Sequence, residues 1–121
     1  MPNQVVWFDL PVVDLDRAIR FYSAVLGEAV TKQSFSPGQE IGVFAHSGGE
    51  VGGCLVKTEK KPIGDAGPVL YLNCGGRLDA AIAEVEKSGG KILQPKHSIG
   101  PHGFVAVILD SEGNRVSLHS M

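Results

Sequence analysis

Two side chains able to move protons, Asp9 and His119, stand near opposite ends of a chain of 121 residues. Each lies in a stretch that alternates apolar with polar residues, VVWFDLPVV at 5–13 and NRVSLHS at 114–120. Alternation of period two marks a half-buried strand, whose successive side chains point to opposite faces. On the last stretch Val116 and Leu118 oppose Arg115, Ser117 and His119; on the first, Val6, Phe8 and Leu10 oppose Trp7 and Asp9. A third stretch, PVLYLNC, sets Leu70 and Leu72 against Val69, Tyr71 and Asn73. With the apolar faces turned to a core, the other faces bring a carboxylate, an imidazole, an indole and a phenol to one side. Apolar walls with a few convergent polar groups are what a small-molecule pocket contains. Asp9 orienting His119 would make an acid/base pair able to move a proton on a carbonyl substrate. A mid-strand carboxylate is disfavoured unless it has a partner or a task. Taken singly, Trp7 reads as a core or interface ring, and Tyr71, Asn73 and Arg115 as rim residues; the shared face makes them substrate-contact candidates. His46 beside SGGEVGG, and His97 and His102 in PKHSIGPHGF, read as exposed loop residues, with no regular element to fix the last two as a metal pair.

The elements that must hold these faces repeat. DLDRAIRFYSAVLG follows the first strand, with Leu15, Ala18, Ile19, Tyr22 and Leu26 at helical spacing, Asp14 placed as N-cap and Gly27 as the stop. Three short strand-like runs come next, at about 28–34, EIGVFAH and VGGCLVKT. The second half has the same order: PVLYLNC, the helical RLDAAIAEVEKSGG, then KILQPKHSI, GFVAVILD and NRVSLHS. Leu15-Asp16 matches Leu78-Asp79, Ala18-Ile19 matches Ala81-Ile82, and Gly27 matches Gly90, all at a separation of 63. Two βαβββ units are expected, residues 4–57 and 68–121, joined by a linker at 58–67 within TEKKPIGDAGP. The fold class is α+β. A mostly antiparallel eight-stranded sheet would cup on one face and carry one helix per unit on the other.

Composition excludes several functions. With 43% hydrophobic and 20% charged residues and a net charge of −2, the chain has no basic footprint for nucleic acid. No run of about 18 apolar residues occurs and no basic-then-apolar leader opens the sequence, so neither membrane spanning nor secretion is expected. Cys54 and Cys74 show no CxxC spacing and are expected reduced, in the cytoplasm. The phosphate-loop, dinucleotide, zinc-protease and nucleophile-elbow motifs are absent from the sequence.

FDLPVVDLDRAIRFYSAVLG, VLYLN, DAAIAEVEKSGGKIL and ILDSEGNRVSLHS together resemble the vicinal oxygen chelate superfamily, which includes glyoxalase I, bleomycin-resistance proteins and extradiol dioxygenases. The chain looks most like the small proteins described as related to lactoylglutathione lyase. The resemblance implies a cupped pair of βαβββ modules, a small-molecule ligand and a homodimer. Its metal-ligand places fall on Trp7, a residue near Gly53, Val69 and Ser117, which are poor donors for a divalent ion. It therefore implies a cavity without the metal, and no cofactor is expected. Asp9 and His119, each two residues beyond a ligand place, would act as a metal-free pair or else hold a divalent metal weakly. A lyase or isomerase on a small oxygenated metabolite is the expected function. The alternatives are a bleomycin-resistance-like binding protein, with Trp7 stacking and Asp9 as counter-charge, and an extradiol-type dioxygenase.

Overall fold

A computed structural model describes residues 3–59, 64 and 67–121, the side chains at 35 and 36 left aside. Most of the expected linker lies outside the described residues. The first unit runs β1 (Trp7–Val12), α1 (Leu15–Leu26), β2 (Thr31–Ser36), β3 (Gln39–Val43) and β4 (Gly52–Lys57). The second runs β5 (Leu70–Asn73), α2 (Leu78–Lys87), β6 (Lys91–Ser98), a short 3-10 turn at Gly100–His102, β7 (Phe104–Leu109) and β8 (Arg115–Ser120). Both βαβββ units are thus present.

Helix α1 forms as its sequence dictates. The Asp14 carboxylate accepts the Arg17 N–H at 3.0 Å, and Gly27 closes the helix in the left-handed region at φ 73°. Leu15, Ala18, Phe21, Tyr22 and Val25 form its buried stripe. The α2 stop differs from the repeat argument: Gly89, at φ 99°, takes the left-handed conformation, not Gly90. Gly90 is small for another reason, since a Cβ there would come within 2.7 Å of the Phe21 ring and 2.6 Å of the Leu109 carbonyl oxygen.

The strands fall into two four-stranded sheets, ordered β1-β4-β3-β2 and β5-β8-β7-β6. The β1–β4 and β5–β8 pairs are parallel and the rest antiparallel. The eight strands expected in one sheet are divided because β1 and β5 each pair on one side only. Pro11 brings no N–H to the free side of β1, and its carbonyl is taken by the Asn114 amide at 2.8 Å. The helices pack against each other, and one hydrophobic cluster joins Leu10, Val12, Tyr22 and Leu55 of the first unit with Val85, Ile108, Val116 and Leu118 of the second. Val6 does not face that core: it precedes β1 and is 74% exposed, so the inward face of this strand is Phe8, Leu10 and Val12.

A polar interlock crosses between the units. The β7–β8 turn sends the Glu112 side chain, 0% exposed, into the β1–α1 junction. There its carboxylate accepts the backbone N–H groups of Val13 and Asp14 at 3.0 and 2.9 Å and the Arg17 guanidinium at 2.6 and 2.9 Å. Asp110 in the same turn accepts Glu112 N–H, Asn114 N–H and the Asn114 amide, and the buried Tyr22 hydroxyl donates to it at 2.6 Å. Burial alone would raise the Glu112 carboxyl. The Arg17 hydrogen bond, the Asp14 and Val13 N–H groups and the Ser111 hydroxyl outweigh it and hold the group at about 2.

A carboxyl depressed in the folded state stabilises fully above its unfolded value, about 4.3, and that contribution disappears as pH falls toward the folded one. Urea melts of wild type should therefore lose stability between about pH 4.3 and pH 2, and Glu112→Gln should flatten this loss. At pH 7 the substitution should cost about 2 kcal/mol, as for a buried hydrogen bond to a charged group.

Candidate ligand site

The faces turned away from the helices carry the residues singled out by type. In the first sheet, register sets Trp7 beside Gly52 and Asp9 beside Cys54, which in turn opposes Val43 on β3. The Trp7 indole N–H donates to Asp9 Oδ1 at 3.2 Å, and the Cys54 thiol donates to the same oxygen at 3.3 Å. Trp7 also meets the His46 ring edge-on, with centroids 5.5 Å apart and planes at 80°. Gly52 makes this possible, because a Cβ there would come within 2.6 Å of the Trp7 ring and 2.9 Å of His46. Burial, and after it the hydrogen bond to Asp9, raises the Cys54 thiol, which therefore serves as a donor and stays protonated.

In the second sheet Tyr71 pairs with Ser117, and Asn73 with His119. Ser117 is 1% exposed, whereas Tyr71 is 61% exposed. Val69 and Arg115 are half-buried, and Arg115 Nε has no hydrogen-bond partner among the described residues. His119 Nε2 lies 2.6 Å from the His102 carbonyl oxygen. A carbonyl only accepts, so Nε2 donates, and in the uncharged form of the ring the lone pair falls on Nδ1. A hollow of about 700 Å³ opens here, lined by Asn73, Gly76, Lys96, Phe104 and His119. Asn73 and Tyr71 also border a second hollow, of about 740 Å³, along the seam with Phe8, Phe44 and Val51 of the first unit.

The structure therefore brings Trp7 to Asp9, and Asn73 to His119, but no hydrogen bond joins Asp9 to His119. Each is engaged on its own sheet, Asp9 by Trp7 and Cys54, His119 by the 100–103 turn. Sequence reasoning passed over Cys54, His46 and the His102 carbonyl. Cys54 meets Asp9 through the parallel register of β1 with β4, 45 residues later, and no local pattern announces it.

The four metal-ligand places do not fit a divalent ion. The Trp7 nitrogen is a donor turned to Asp9, a Cβ on Gly53 would strike the Phe8 ring, Val69 has no lone pair, and Ser117 is a buried hydroxyl. Among the described residues no three His, Cys, Asp or Glu side chains are grouped to hold a metal. Chelator-treated protein titrated with Mn(II), Ni(II) or Zn(II) should accordingly shift its Tm by less than about 1 °C, whereas a tightly bound ion would raise it by mass action. Iodoacetamide should label Cys54 slowly at pH 7.5 and rapidly once urea unfolds the chain, as mass spectrometry of the tryptic peptide would report.

Known proteins share this architecture. The sequence model of the family described as Glyoxalase/Bleomycin resistance protein/Dioxygenase superfamily matches residues 4–118. A glyoxylase-like domain-containing protein of Didymella fabae is 30% identical over 116 residues, 93% of this chain and 89% of that protein. The crystal structure of a glyoxalase/bleomycin resistance protein from Albidiferax ferrireducens superposes with a TM-score of 0.76 at 19% identity, covering 98% of this chain and 99% of that one. That of the genomically encoded fosfomycin resistance protein from Listeria monocytogenes gives 0.71 at 14% identity, covering 100% and 95%.

Proposed function

Because the chain belongs to the glyoxalase/bleomycin resistance protein/dioxygenase superfamily, we propose that it acts on a small oxygenated metabolite by metal-independent proton transfer, as a lyase or isomerase, with His119 as proton carrier. The observation behind this reading is the tautomer of His119. Its Nε2–H is fixed on the His102 carbonyl, and Nδ1 has no hydrogen-bond partner among the described residues. A general base needs an open lone pair on a ring that cannot swing, and the backbone carbonyl supplies that restraint. Beside it Asn73 uses Oδ1 to accept the Gly75 N–H at 2.8 Å, which leaves its amide N–H groups for a substrate oxygen.

In this reading Asp9 does not orient His119; it anchors the ligand from the first sheet. Trp7, Val69 and Tyr71 form walls, and Arg115 and Ser117 are polar contacts on the second sheet. We take the functional unit to be a homodimer, since β1 and β5 each keep one unpaired edge and Val5, Val6, Val51 and Tyr71 are exposed. A cytoplasmic location is consistent with two free, buried cysteines. Among the described residues no helix is long and apolar enough to cross a membrane.

The test is solvent exchange. In D2O with chelator present, proton NMR would follow loss of the C–H signal next to the carbonyl in a panel of hydroxyketones and ketoaldehyde hemithioacetals. His119→Gln should slow exchange of a responsive compound by about 10²-fold or more, the usual contribution of a positioned base, while its affinity stays within about threefold. Equal exchange by wild type and His119→Gln would sink the assignment. Binding with no exchange by wild type would favour sequestration of the bleomycin-resistance kind, for which the exposed Trp7 provides a stacking surface.

A further inference from the structure

We propose that the substrate is an elongated molecule: its oxygenated head occupies the His119 hollow, and an uncharged apolar tail crosses the Gly75-Gly76 turn into the hollow along the seam between the units. This rests on the reading of His119 above and gives the chemistry of the far end of its ligand. Four features carry it.

The first is a shared border. The hollow of about 700 Å³ that holds His119 and the hollow of about 740 Å³ at the seam are both lined by Asn73, Gly75 and Gly76. Each has the size of a small-molecule site, about 300 to 1,000 Å³. What divides them is one tight turn between β5 and α2. The Arg77 N–H donates to the Cys74 carbonyl at 2.9 Å, and the Gly75 N–H donates to Asn73 Oδ1 at 2.8 Å.

The second is the bare crest of that turn. At φ 55° the backbone itself accounts for a glycine at Gly75. Gly76 is different: its φ is not positive, and a Cβ there would meet nothing within 4 Å. Neither conformation nor packing against the described residues requires a glycine at this position. The missing side chain leaves a saddle of backbone over which a chain can pass from one hollow to the other.

The third is the character of the seam. Phe8, Leu26, Val30, Phe44, Val51 and Leu72 wall it, with the two phenyl rings 5.5 Å apart. The charged residues at its border are Glu28, Glu50 and Arg77. Arg77 is turned to the end of α1, where it donates to the Val25 carbonyl at 3.1 Å, and Glu50 accepts the Ser47 N–H at 2.8 Å. An alkyl or aryl tail suits these walls, whereas a tail ending in a carboxylate would face two like charges.

The fourth is the direction in which a head would point. In the His119 hollow Lys96 is already paired with Asp79 at 3.2 Å and lies over the Phe104 ring. The Asn73 amide N–H groups and His119 Nδ1 have no partner among the described residues and suit a carbonyl with its neighbouring hydroxyl. Asn73 borders both hollows, so a head held at its amide leaves the rest of the molecule at the saddle.

Four probes vary only the tail: hydroxyacetone, its homologues with three and six further CH₂ groups, and the longest of these with a carboxylate at its far end. Calorimetry gives their affinities, and the exchange assay above runs on the same samples. The homologue with three further CH₂ groups should bind at least about tenfold more tightly than hydroxyacetone, since one buried CH₂ contributes about three- to fourfold. The carboxylate tail should forfeit at least about tenfold relative to its uncharged parent. Gly76→Val, which raises the saddle, and Val51→Glu, which charges an exposed wall of the seam, should each bring the ratio of long-chain to hydroxyacetone affinity close to one. Leu93→Glu makes the same change at an exposed position of β6 outside both linings and should keep the wild-type ratio. The proposal is overturned if affinity does not rise with chain length, if the rise persists in Gly76→Val or Val51→Glu, or if the carboxylate tail binds as well as its parent. The two readings fail separately. A chain-length rise without exchange leaves the seam and removes the His119 assignment; exchange without the rise does the reverse.

Discussion

The buried carboxylate of Glu112 is the constraint on which the arrangement depends. Each βαβββ unit has a helix on one sheet face and cannot bury that face completely alone. The two units share a core, but apolar packing is non-directional and tolerates small slides and rotations. Glu112 removes that freedom. It crosses from the second unit into the first and takes up two backbone N–H groups and a guanidinium where β1 turns into α1. Asp110 and Asn114, from the same turn, fix the Tyr22 hydroxyl and the Pro11 carbonyl. Directional bonds at one corner thereby set where β1 lies relative to β8, and with it where Trp7 and Asp9 lie relative to Asn73 and His119.

Glycine marks the places where backbone and rings must come close. Gly53 admits the Phe8 ring on the core side of β4, and Gly52 admits Trp7 and His46 on the other. Adjacent glycines in a strand weaken its intrinsic preference, and central position and burial compensate. The result is a strand that carries an aromatic ring on each face, one for the core and one for the ligand side.

The two halves of the site are built on different logic. On the first sheet a carboxylate is held in place by an indole and a thiol donor, which suits recognition. On the second an imidazole is held by a backbone carbonyl and keeps a lone pair, which suits proton exchange. The two halves border a common hollow along the seam that Tyr71 and Asn73 share with Phe8 and Phe44.

The sequence alone determined the local matters: the α1 cap and stop, the alternation of β1 from Phe8 to Val12, and the repeated order of elements. These are readable because they depend on residues within a few positions of one another, where helix and strand periods act. Only the tertiary structure decided that the strands divide into two sheets, that Asp9 answers to Trp7 and Cys54 and not to His119, and that the His102 carbonyl sets the imidazole tautomer. Gly89 and Gly90 show both kinds of information side by side: a left-handed helix stop is local chemistry, but that residue 90 must also be a glycine follows from Phe21, 69 residues earlier, whose ring leaves no room for a Cβ there. The physical reason is one of range. Parallel pairing across a helix, a turn reaching back over the chain, and a ring against a distant backbone are contacts between residues whose separation leaves no period in the sequence, and packing of the whole core selects them.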